Sequence, residues 1–280
     1  MKSEHGITPG LAAVLVGDDP ASAVYVHQKT EACRRTGIFT ETFALHKSTT
    51  EAEVVKLVQE LNAEDDFHGI LVQLPVPPGV RAHVVIQTMS PEKDVDGLHP
   101  FSLGQLILGL PGFLPATPLG IQEMLLRSGY NPDGKHVVVC GRSDLVGKPL
   151  SLLLARKARG ANATVTLCHT GTRNLADYTR SADILVAAVG SPEVITGDMV
   201  KEGAVVIDVG ISRVQQPWTK RGYRLVGDVH FESVSQKAAA ITPVPGGVGP
   251  VTVATLIANT VRAAKMRLEK PVVPAMPVEP

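Results

Sequence analysis

Aromatic side chains, cysteines and excess charge of either sign are all scarce in this 280-residue sequence. Phe, Trp and Tyr together make up 4% of the chain, so its cores must be built from Val, Leu, Ile and Ala. Such cores suit parallel sheets covered by helices. Lys plus Arg and Asp plus Glu each number 27, which gives a formal net charge of zero. A neutral balance offers no electrostatic footprint for nucleic acid or an anionic membrane, so we predict neither as a partner.

The three cysteines, Cys33, Cys140 and Cys168, lie far apart in the sequence and form no CxxC pair. This spacing indicates neither a disulfide framework nor a zinc site, so no metal is predicted and a reducing cytoplasm fits. The start of the chain contains no apolar core of a secretion signal, and no apolar run approaches the length of a membrane span. We therefore expect a cytoplasmic protein that acts on small molecules.

Strand and helix patterns alternate along most of the chain. Apolar runs such as GLAAVLVG, GILVQL, HVVVCG and DILVAAVG are separated by helical stretches, an order typical of α/β folds with mostly parallel sheets. The segment from Leu110 to Pro118 is rich in Pro and Gly and is interpreted as an interdomain linker. We predict two α/β domains, residues 1–115 and 116–246, with a final helix at 250–268 that completes the first. Residues 269–280 contain four prolines and are predicted to form a disordered tail.

Several helix boundaries can be predicted from capping and turn residues. The stretch from Ser22 to Gly37 predicts a helix with Ser22 as its N-cap and Gly37 as its stop. Three later helices are predicted at Leu119–Ser128, at about Pro149–Ala158 and at Thr252–Arg267.

The segment HVVVCGRSDLVGKPLSLLL has the pattern of a strand, a glycine turn and a helix. Gly141 and Gly147 are six residues apart, and Ser143 stands where the usual dinucleotide fingerprint has its second glycine. A turn of small residues leads the chain into a helix N-terminus whose free N–H groups can hold a pyrophosphate. The turn alone leaves open a second interpretation, a tight strand-to-helix connection of any α/β protein.

The end of the next strand indicates which cofactor such a site would prefer. NAD-specific sites usually place an acidic residue there to hold the ribose 2′-OH, but TVTLC is followed by HTGTR, without a carboxylate. Thr170, Arg173 and Arg142 supply a hydroxyl and two guanidinium groups, which suit a 2′-phosphate. The sequence therefore predicts NADP, and solvated surface arginines are the alternative.

Polar residues interrupt the apolar pattern of the first half at three places. Tyr25 and Lys29 are four residues apart on one predicted helix and so share a face. Gln73 lies inside the apolar run ILVQLP, where its amide needs a buried partner, and KDVDG presents Asp94 and Asp96 on a loop. Each has an ordinary structural alternative: a tyrosine at the core edge, a solvated lysine, a hydrogen-bonded strand amide and a turn-forming aspartate.

Nine motifs follow one another along the chain: SAVYVHQK, GILVQLPVP, PEKDVDGLHP, PATPLG, VVVCGRSDLVGKP, ATVTLCHTGT, AVVIDVGI, VGDVHF and ITPVPGGVGPVTVATL. In this order and spacing, from about Gly10 to Ala264, the sequence resembles the bifunctional methylenetetrahydrofolate dehydrogenase/cyclohydrolase family. It departs from the family at Ser102, Ala116 and Val251, where Asn, Cys and Met are usual. The family also usually starts with about two dozen further residues, including a helix, so we expect an apolar face of the first domain to lack its cover.

The resemblance implies that the first domain binds folate and is catalytic. Lys29 would be the catalytic lysine, Gln73 would hydrogen-bond it, and Asp96 would anchor the pterin's amino and ring N–H groups as an acceptor. Tyr25 would stack on the aminobenzoyl part of the folate. The remaining substrate contacts that the resemblance implies are Leu74, Pro75, Pro245, Gly246 and Gly247.

For the second domain the resemblance implies a Rossmann-like fold that binds NADP. The cofactor contacts carried over to this chain are Gly141, Arg142, Ser143, Thr170 and Ile211. The PVPGG segment, Pro243 to Gly247, would lie beside the folate in a cleft between the two domains, a usual location for such a site.

The activity that the resemblance implies has two steps, in a cytoplasmic homodimer. NADP would oxidise 5,10-methylenetetrahydrofolate to the methenyl cation, which is then hydrolysed to 10-formyltetrahydrofolate. The nicotinamide carries the redox step, so the protein's task there is positioning, whereas hydrolysis needs proton transfers, where Lys29 would act. Two alternatives stay open: another NAD(P) dehydrogenase, for instance one for a shikimate-type or amino-acid substrate, and a folate- or nucleotide-binding paralogue without turnover.

Overall fold

The computed structural model describes residues 6–218 and 222–269. Its contacts divide the chain into two compact units. The first unit comprises the described residues up to His99 together with those from Leu256 onward, and the second comprises Pro100–Thr255. The domain limits given above, 1–115 and 116–246, stay a prediction, because a division by contacts does not establish which segments fold independently.

The first unit is built on a parallel three-stranded sheet in the order β2-β1-β3. Apolar residues of all three strands pack with one face of the second helix into a core that includes Val14, Val54, Leu61 and Ile70. The elements up to His99 are β1 (Gly10–Val16), α1 (Pro20–Arg35), β2 (Phe39–Leu45), α2 (Glu51–Ala63), β3 (Gly69–Val72) and α3 (Ala82–Thr88).

The start of α1 corrects the predicted N-cap. Asp19 is the cap: its carboxylate accepts hydrogen bonds from the Ser22 backbone N–H at 2.8 Å and the Ser22 hydroxyl at 2.7 Å. Pro20 occupies the first turn, where its missing N–H costs no hydrogen bond. Ser22 therefore lies inside the helix, and the prediction of Ser22 as N-cap is wrong.

The second unit contains a parallel five-stranded sheet in the order β10-β7-β6-β4-β5 and an antiparallel hairpin, β8-β9. Its elements are α4 (Pro100–Leu108), α5 (Ala116–Arg127), β4 (His136–Cys140), α6 (Gly147–Ala155), β5 (Thr164–Cys168), α7 (Leu175–Thr179), β6 (Ile184–Ala187), a single 3₁₀ turn (Gly197–Met199), β7 (Val205–Asp208), β8 (Ser212–Gln215), β9 (Tyr223–Val226), α8 (Phe231–Ser235), β10 (Ala240–Ile241) and the start of α9 (Val248–Glu269). The α/β class with mostly parallel sheets is confirmed.

Three predicted helices begin earlier in the structure than the sequence patterns indicate. α5 starts at Ala116, α6 at Gly147 and α9 at Val248, rather than at Leu119, Pro149 and Thr252. In each helix a proline is the third residue, where the N–H has no partner within the helix and proline is tolerated. Prolines and glycines that mark turns elsewhere are here part of a first helical turn, which also shortens the predicted linker.

α4 was not predicted, and its sequence, PFSLGQLIL, follows directly on the KDVDG loop. Within residues 6–218 and 222–269, no helix is both long and apolar enough to cross a membrane. The predicted tail, apart from Glu269 at the end of α9, lies outside the described residues.

Candidate active site

In the first unit, the face of α1 beside the end of β3 carries the predicted catalytic lysine. The Lys29 ammonium donates a hydrogen bond to the Gln73 side-chain oxygen, Oε1, at 3.2 Å. Gln73 is 8% exposed, and its amide nitrogen donates to the Leu74 carbonyl at 2.7 Å. That second bond orients the amide, since an amide nitrogen can only donate, and it leaves Oε1 directed at Lys29. Tyr25 lies one helical turn before Lys29, half-buried.

The sequence predicted Gln73 inside a strand, but β3 ends at Val72 and Gln73 is the first residue beyond it. This position suits function, because a side chain at the carboxyl end of a parallel strand lies at the edge where such sheets bind ligands. Leu74 and Pro75, also predicted substrate contacts, follow directly and are joined by a cis peptide bond.

Hydrogen bonds hold the KDVDG loop in place within the first unit. Asp94 is fully buried, and its two carboxylate oxygens accept hydrogen bonds from the backbone N–H groups of Leu98 and His99 at 3.0 and 2.8 Å. Asn259, on α9, donates from its amide to the Val95 carbonyl at 2.8 Å. These bonds close the loop and hold Asp96 at its tip.

The Val95 side chain explains why β3 begins with glycine. A Cβ at Gly69 would come within 2.6 Å of the Val95 side chain, a distance that packed carbon atoms do not adopt. The loop therefore approaches the strand closely only because Gly69 has no side chain.

Asp96 is half-buried, and the pKa of its carboxyl is raised above the ordinary value. Burial raises the pKa of the Asp96 carboxyl, the positive charge of Lys29 lowers this pKa, and the negative charge of Asp94 raises it. Lys29, Gln73 and Asp96, which are separated in sequence, are thus brought together in one unit. A desolvated carboxylate of this kind favours a ligand that donates hydrogen bonds to it.

In the second unit, the turn after β4 depends on two glycines. Gly141 has φ +123°, and a Cβ on it would lie 2.0 Å from the Ala188 carbonyl oxygen. A Cβ on Gly147, at the start of α6, would lie 1.9 Å from the Gly141 carbonyl oxygen. The first glycine thus permits the tight turn and the second permits close packing of the helix against it, as dinucleotide-binding turns require.

The turn before α6, whose N-cap residue is Val146, is held by Ser143. Its hydroxyl oxygen accepts from the backbone N–H groups of Val146 at 3.2 Å and Gly147 at 3.4 Å, and its carbonyl accepts from Lys148 N–H at 3.1 Å. The first N–H groups of the helix are therefore already hydrogen-bonded. A phosphate at this turn would replace the long serine bonds or bind N–H groups earlier in the turn.

The other predicted cofactor contacts are solvent-exposed in the second unit. Arg142 follows Gly141, Thr170 lies in a tight turn after β5, and Ile211, 43% exposed, follows β7. Across residues 6–218 and 222–269, the Arg142 guanidinium forms no ion pair. The exposed hydroxyl and guanidinium groups at this carboxyl edge of the sheet fit a phosphorylated dinucleotide such as NADP.

The PVPGG segment connects β10 to α9 within the second unit. Val244 and Pro245 are joined by a cis peptide bond, and a Cβ on Gly247 would lie 2.6 Å from the Pro243 carbonyl oxygen. Pro243, Gly246 and Gly247 line part of a mostly apolar cavity of about 300 Å³.

Two buried aspartates in the second unit were not singled out from the sequence. Asp208 ends β7 at 4% exposure, and Asp228 follows β9 at 0%. Burial raises the pKa of Asp208 to about 6 and also raises the pKa of Asp228. The available signal was an aspartate within two residues of a glycine at the end of an apolar run, in VVIDVG and RLVGDV.

Comparison with known proteins gives a consistent result over nearly the whole chain. Residues 115–268 match the family described as tetrahydrofolate dehydrogenase/cyclohydrolase, NAD(P)-binding domain, and residues 1–96 match its catalytic domain. A relative from Dehalococcoides mccartyi strain CBDB1, called bifunctional protein FolD, is 54% identical over 266 residues, which cover 95% of this chain and 89% of the relative.

Two solved structures are also similar. The bifunctional methylenetetrahydrofolate dehydrogenase/cyclohydrolase FolD of Campylobacter jejuni has a TM-score of 0.88 at 45% identity, covering 95% of this chain and 91% of that one. The corresponding Trypanosoma brucei enzyme, solved with NADP and an inhibitor, has a TM-score of 0.90 at 40% identity, covering 96% and 91%.

The fold and the glycine turn define an α/β protein with a catalytic and an NAD(P)-binding part. The chain belongs to the tetrahydrofolate dehydrogenase/cyclohydrolase family. The family predicted from the sequence motifs is thereby confirmed.

Proposed function

We propose that this protein oxidises 5,10-methylenetetrahydrofolate to 5,10-methenyltetrahydrofolate with NADP and then hydrolyses the product to 10-formyltetrahydrofolate, in folate one-carbon metabolism. The observation that carries the proposal is the Lys29–Gln73 hydrogen bond of 3.2 Å in a unit that also places Asp96 within electrostatic reach of Lys29. The family supports it, since the similar enzymes of Campylobacter jejuni and Trypanosoma brucei are named for both activities.

Hydrolysis requires two proton movements, and Lys29 is the group we assign to them. Water adds to the methenyl carbon and loses a proton, and a ring nitrogen gains a proton as its bond to that carbon breaks. Gln73 is neutral, so it holds the Lys29 nitrogen in place without adding a second negative charge next to it. Positioned acid–base groups of this kind contribute about 10²–10⁴-fold to rates.

Asp96 is the group we assign to substrate recognition. Its carboxyl is partly removed from water, which raises its pKa, and a pterin offers amino and ring N–H donors that would offset this loss of solvation. Tyr25, one turn before Lys29 on α1, would stack on the aminobenzoyl ring. Leu74, Pro75, Pro245, Gly246 and Gly247 complete the proposed substrate contacts.

For the oxidation step the protein's own contribution is placement. Bound NADP supplies the nicotinamide ring that accepts the hydride from the methylene bridge. Gly141 and Ser143 would shape the phosphate-binding turn, Arg142 and Thr170 would hold the 2′-phosphate, and Ile211 would provide an apolar contact. The exposed Arg142 and the lack of a carboxylate in the His169–Arg173 sequence favour NADP over NAD.

We further propose a cytoplasmic homodimer that binds neither nucleic acid nor membranes. The neutral charge balance supports the absence of those partners. The alternatives are a different NAD(P) dehydrogenase and a non-catalytic folate-binding paralogue. The Lys29, Gln73 and Asp96 arrangement argues against the paralogue, because a purely binding protein has no need of a positioned proton carrier. The family of the chain argues against a different dehydrogenase.

A spectrophotometric assay tests the proposal. The purified protein is mixed with 5,10-methylenetetrahydrofolate and NADP, and absorbance of the methenyl product and NADPH is followed. A second reaction follows loss of methenyltetrahydrofolate without any cofactor. Both rates should exceed the uncatalysed rates, and NADP should outperform NAD. Turnover of neither folate would contradict the proposed function, and oxidation alone would restrict it to the dehydrogenase step.

A further inference from the structure

A short loop after β6 occupies the place in the second unit where doubly wound sheets bind dinucleotides. β4 has β5 on one side and β6 on the other, and the crevice at the carboxyl ends of the strands where the order reverses is the binding position in such sheets. The loop, residues 188–191, follows β6 directly. Its Ala188 carbonyl lies where a side chain on Gly141 would collide, so the loop and the glycine turn are in close contact.

The conformation of this loop is held by Asp228. One carboxylate oxygen, Oδ2, accepts hydrogen bonds from the backbone N–H groups of Val189 at 2.6 Å and Gly190 at 2.9 Å. The nearby Ser191 N–H lowers the pKa of the same carboxyl group. Two successive N–H groups therefore bond to one carboxylate oxygen that comes from a segment about forty residues later in the chain.

Asp208 holds Asp228 in turn. Its Oδ1 accepts from the backbone N–H groups of Asp228 at 2.9 Å and Gly210 at 3.0 Å, and its Oδ2 accepts from Val229 N–H at 3.0 Å. Two glycines make room for the carboxyl groups. A Cβ on Gly210 would lie 2.2 Å from the Asp228 carboxyl, and a Cβ on Gly227 would lie 1.7 Å from Asp208 Oδ2.

This arrangement is not the most stable way to fix a loop. The second oxygen of Asp228, Oδ1, is buried and lacks a hydrogen-bond partner within the described part of the chain. An unsatisfied buried oxygen costs stability, and such groups in folded proteins call for a reason other than packing. Here the carboxyl group fixes the loop nearest the glycine turn.

We propose that Asp228 is a positioning residue for cofactor binding, which fixes residues 188–191 in the conformation that accepts NADP. The assignment rests on the proposed function. Asp228 itself is fully buried and acts through the loop, so it does not touch the cofactor. Asp208 supports it from the end of β7.

The test compares Asp228→Ala and Asp228→Asn with a matched control, Asp183→Ala. Asp183 lies at the amino end of β6, where its carboxylate accepts from His136 backbone N–H at 3.0 Å and from Lys201 at 2.6 Å. Both alanine variants remove a carboxylate that accepts backbone hydrogen bonds, Asp183 from His136 at the start of β4 and Asp228 from Val189 and Gly190 after β6. Only Asp228 lies at the end where the dinucleotide is expected.

NADP binding is measured by calorimetry, and both activities are assayed. In Asp228→Ala the Kd and KM for NADP should rise about tenfold or more, while cofactor-free hydrolysis of methenyltetrahydrofolate stays within about threefold. Asp228→Asn should recover most of the affinity, because its carbonyl oxygen can take the place of Oδ2. Asp183→Ala should keep the parent affinity. Unchanged NADP affinity in Asp228→Ala, or an equal loss in Asp183→Ala, overturns the assignment.

A measurement on the unmodified protein covers the case in which Asp228→Ala does not fold. Amide hydrogen exchange of residues 188–191 should slow further when NADP saturates the protein, whereas exchange next to Asp183 should not change. No added protection in the loop overturns the assignment. An unmodified protein that binds no NADP contradicts the proposed function itself, and that result is distinct from either outcome above.

Discussion

The two units build their sites by opposite means. In the first unit the site consists of side chains that reach one another, with Lys29 hydrogen-bonded to Gln73 and Asp96 influenced by the lysine's charge. In the second unit the site depends on missing side chains, because a Cβ at Gly141 or Gly147 would collide with backbone. The comparison indicates a division of labour: proton transfer needs functional groups at defined places, whereas holding a dinucleotide needs backbone at close approach.

The largest effect is expected from removing the side chain that we propose as the proton carrier. Lys29→Met should lower cyclohydrolase activity by about 10²–10⁴-fold, the usual contribution of a positioned acid–base group. Dehydrogenase activity should remain measurable, because the nicotinamide carries that chemistry. Lys56→Met, which removes an exposed lysine of α2 paired with Glu60, is the control and should leave both rates unchanged. Cyclohydrolase activity within a few-fold of the parent would exclude Lys29 as the proton carrier.

In the second unit, adding one methyl group to the glycine turn should impair cofactor binding. Gly141→Ala puts a Cβ 2.0 Å from the Ala188 oxygen at a φ of +123°, so the turn must move. Displacement of about 1 Å at such a site costs on the order of 10²-fold, which we expect in kcat/KM for NADP. Cofactor-free cyclohydrolase activity should persist. Gly104→Ala on α4, where a Cβ meets no atom within 4 Å, should leave NADP kinetics intact; equal effects of the two changes would refute the steric explanation.

A smaller effect separates recognition of the 2′-phosphate from the geometry of the glycine turn. Arg142→Ala should raise KM for NADP roughly tenfold to a hundredfold, since each charge-assisted bond contributes about 1.5–3 kcal/mol. KM for NAD, which lacks the 2′-phosphate, should hardly change. Arg127→Ala, an exposed arginine of α5 paired with Glu123, serves as the control. If the unmodified protein uses NAD and NADP equally well, the assignment of Arg142 is wrong.

The units should also differ in how pH affects stability, which is the smallest effect we predict. Hydrogen bonds from Arg81 hold the pKa of Glu51, in the first unit, at about 2, below its ordinary 4.5. The contribution of Glu51 to the free energy of unfolding is present above pH 4.5 and is lost as the pH falls toward 2. Burial raises the pKa of Asp208, in the second unit, from 3.8 to about 6. The contribution of Asp208 to the free energy of unfolding is present below pH 3.8 and is lost as the pH rises through 6.

Melting temperatures measured from about pH 2 to about pH 7 check these signs. The parent should melt at a higher temperature than Glu51→Gln near neutral pH, and this difference should shrink as the pH falls from 4.5 toward about 2. Relative to Asp208→Asn, the parent should gain stability as the pH falls from about 7 to about 4. Asp208→Asn should be less stable than the parent at every pH, because its amide N–H₂ faces a backbone N–H. The test is therefore how the difference in melting temperature changes with pH, not its size at one pH. Parallel curves for parent and Asp208→Asn would contradict the raised pKa.

The same contrast explains what the sequence could predict. Lys29, Gln73 and the glycines stand out as residue types in unusual places, and the family motifs attach roles to them and to Asp96. Asp208 and Asp228 do not stand out, because an aspartate near a glycine at a strand end is an ordinary turn former. Their importance depends on which distant N–H groups they accept, as with Asp228 and Val189, and no local pattern contains that information.

The predicted starts of three helices were wrong for one shared reason. α5, α6 and α9 each carry proline as their third residue, at Pro118, Pro149 and Pro250. Proline with neighbouring glycine marks a turn in many contexts, yet in a first helical turn it removes an N–H that has no partner within the helix. The N-cap of α1 was ambiguous in a different way. Both Asp19 and Ser22 are good capping residues, and only the hydrogen bonds between them show that Asp19 is the cap.

The most direct test of the division of labour is the ratio of cyclohydrolase to dehydrogenase activity in Lys29→Met and Gly141→Ala, measured side by side at saturating folate and a fixed NADP concentration. We predict that the ratio falls about 100-fold or more in Lys29→Met and rises by about the same factor in Gly141→Ala. If the ratio moves in the same direction in both variants, or stays at the parent value in either, the two units do not divide the chemistry in this way.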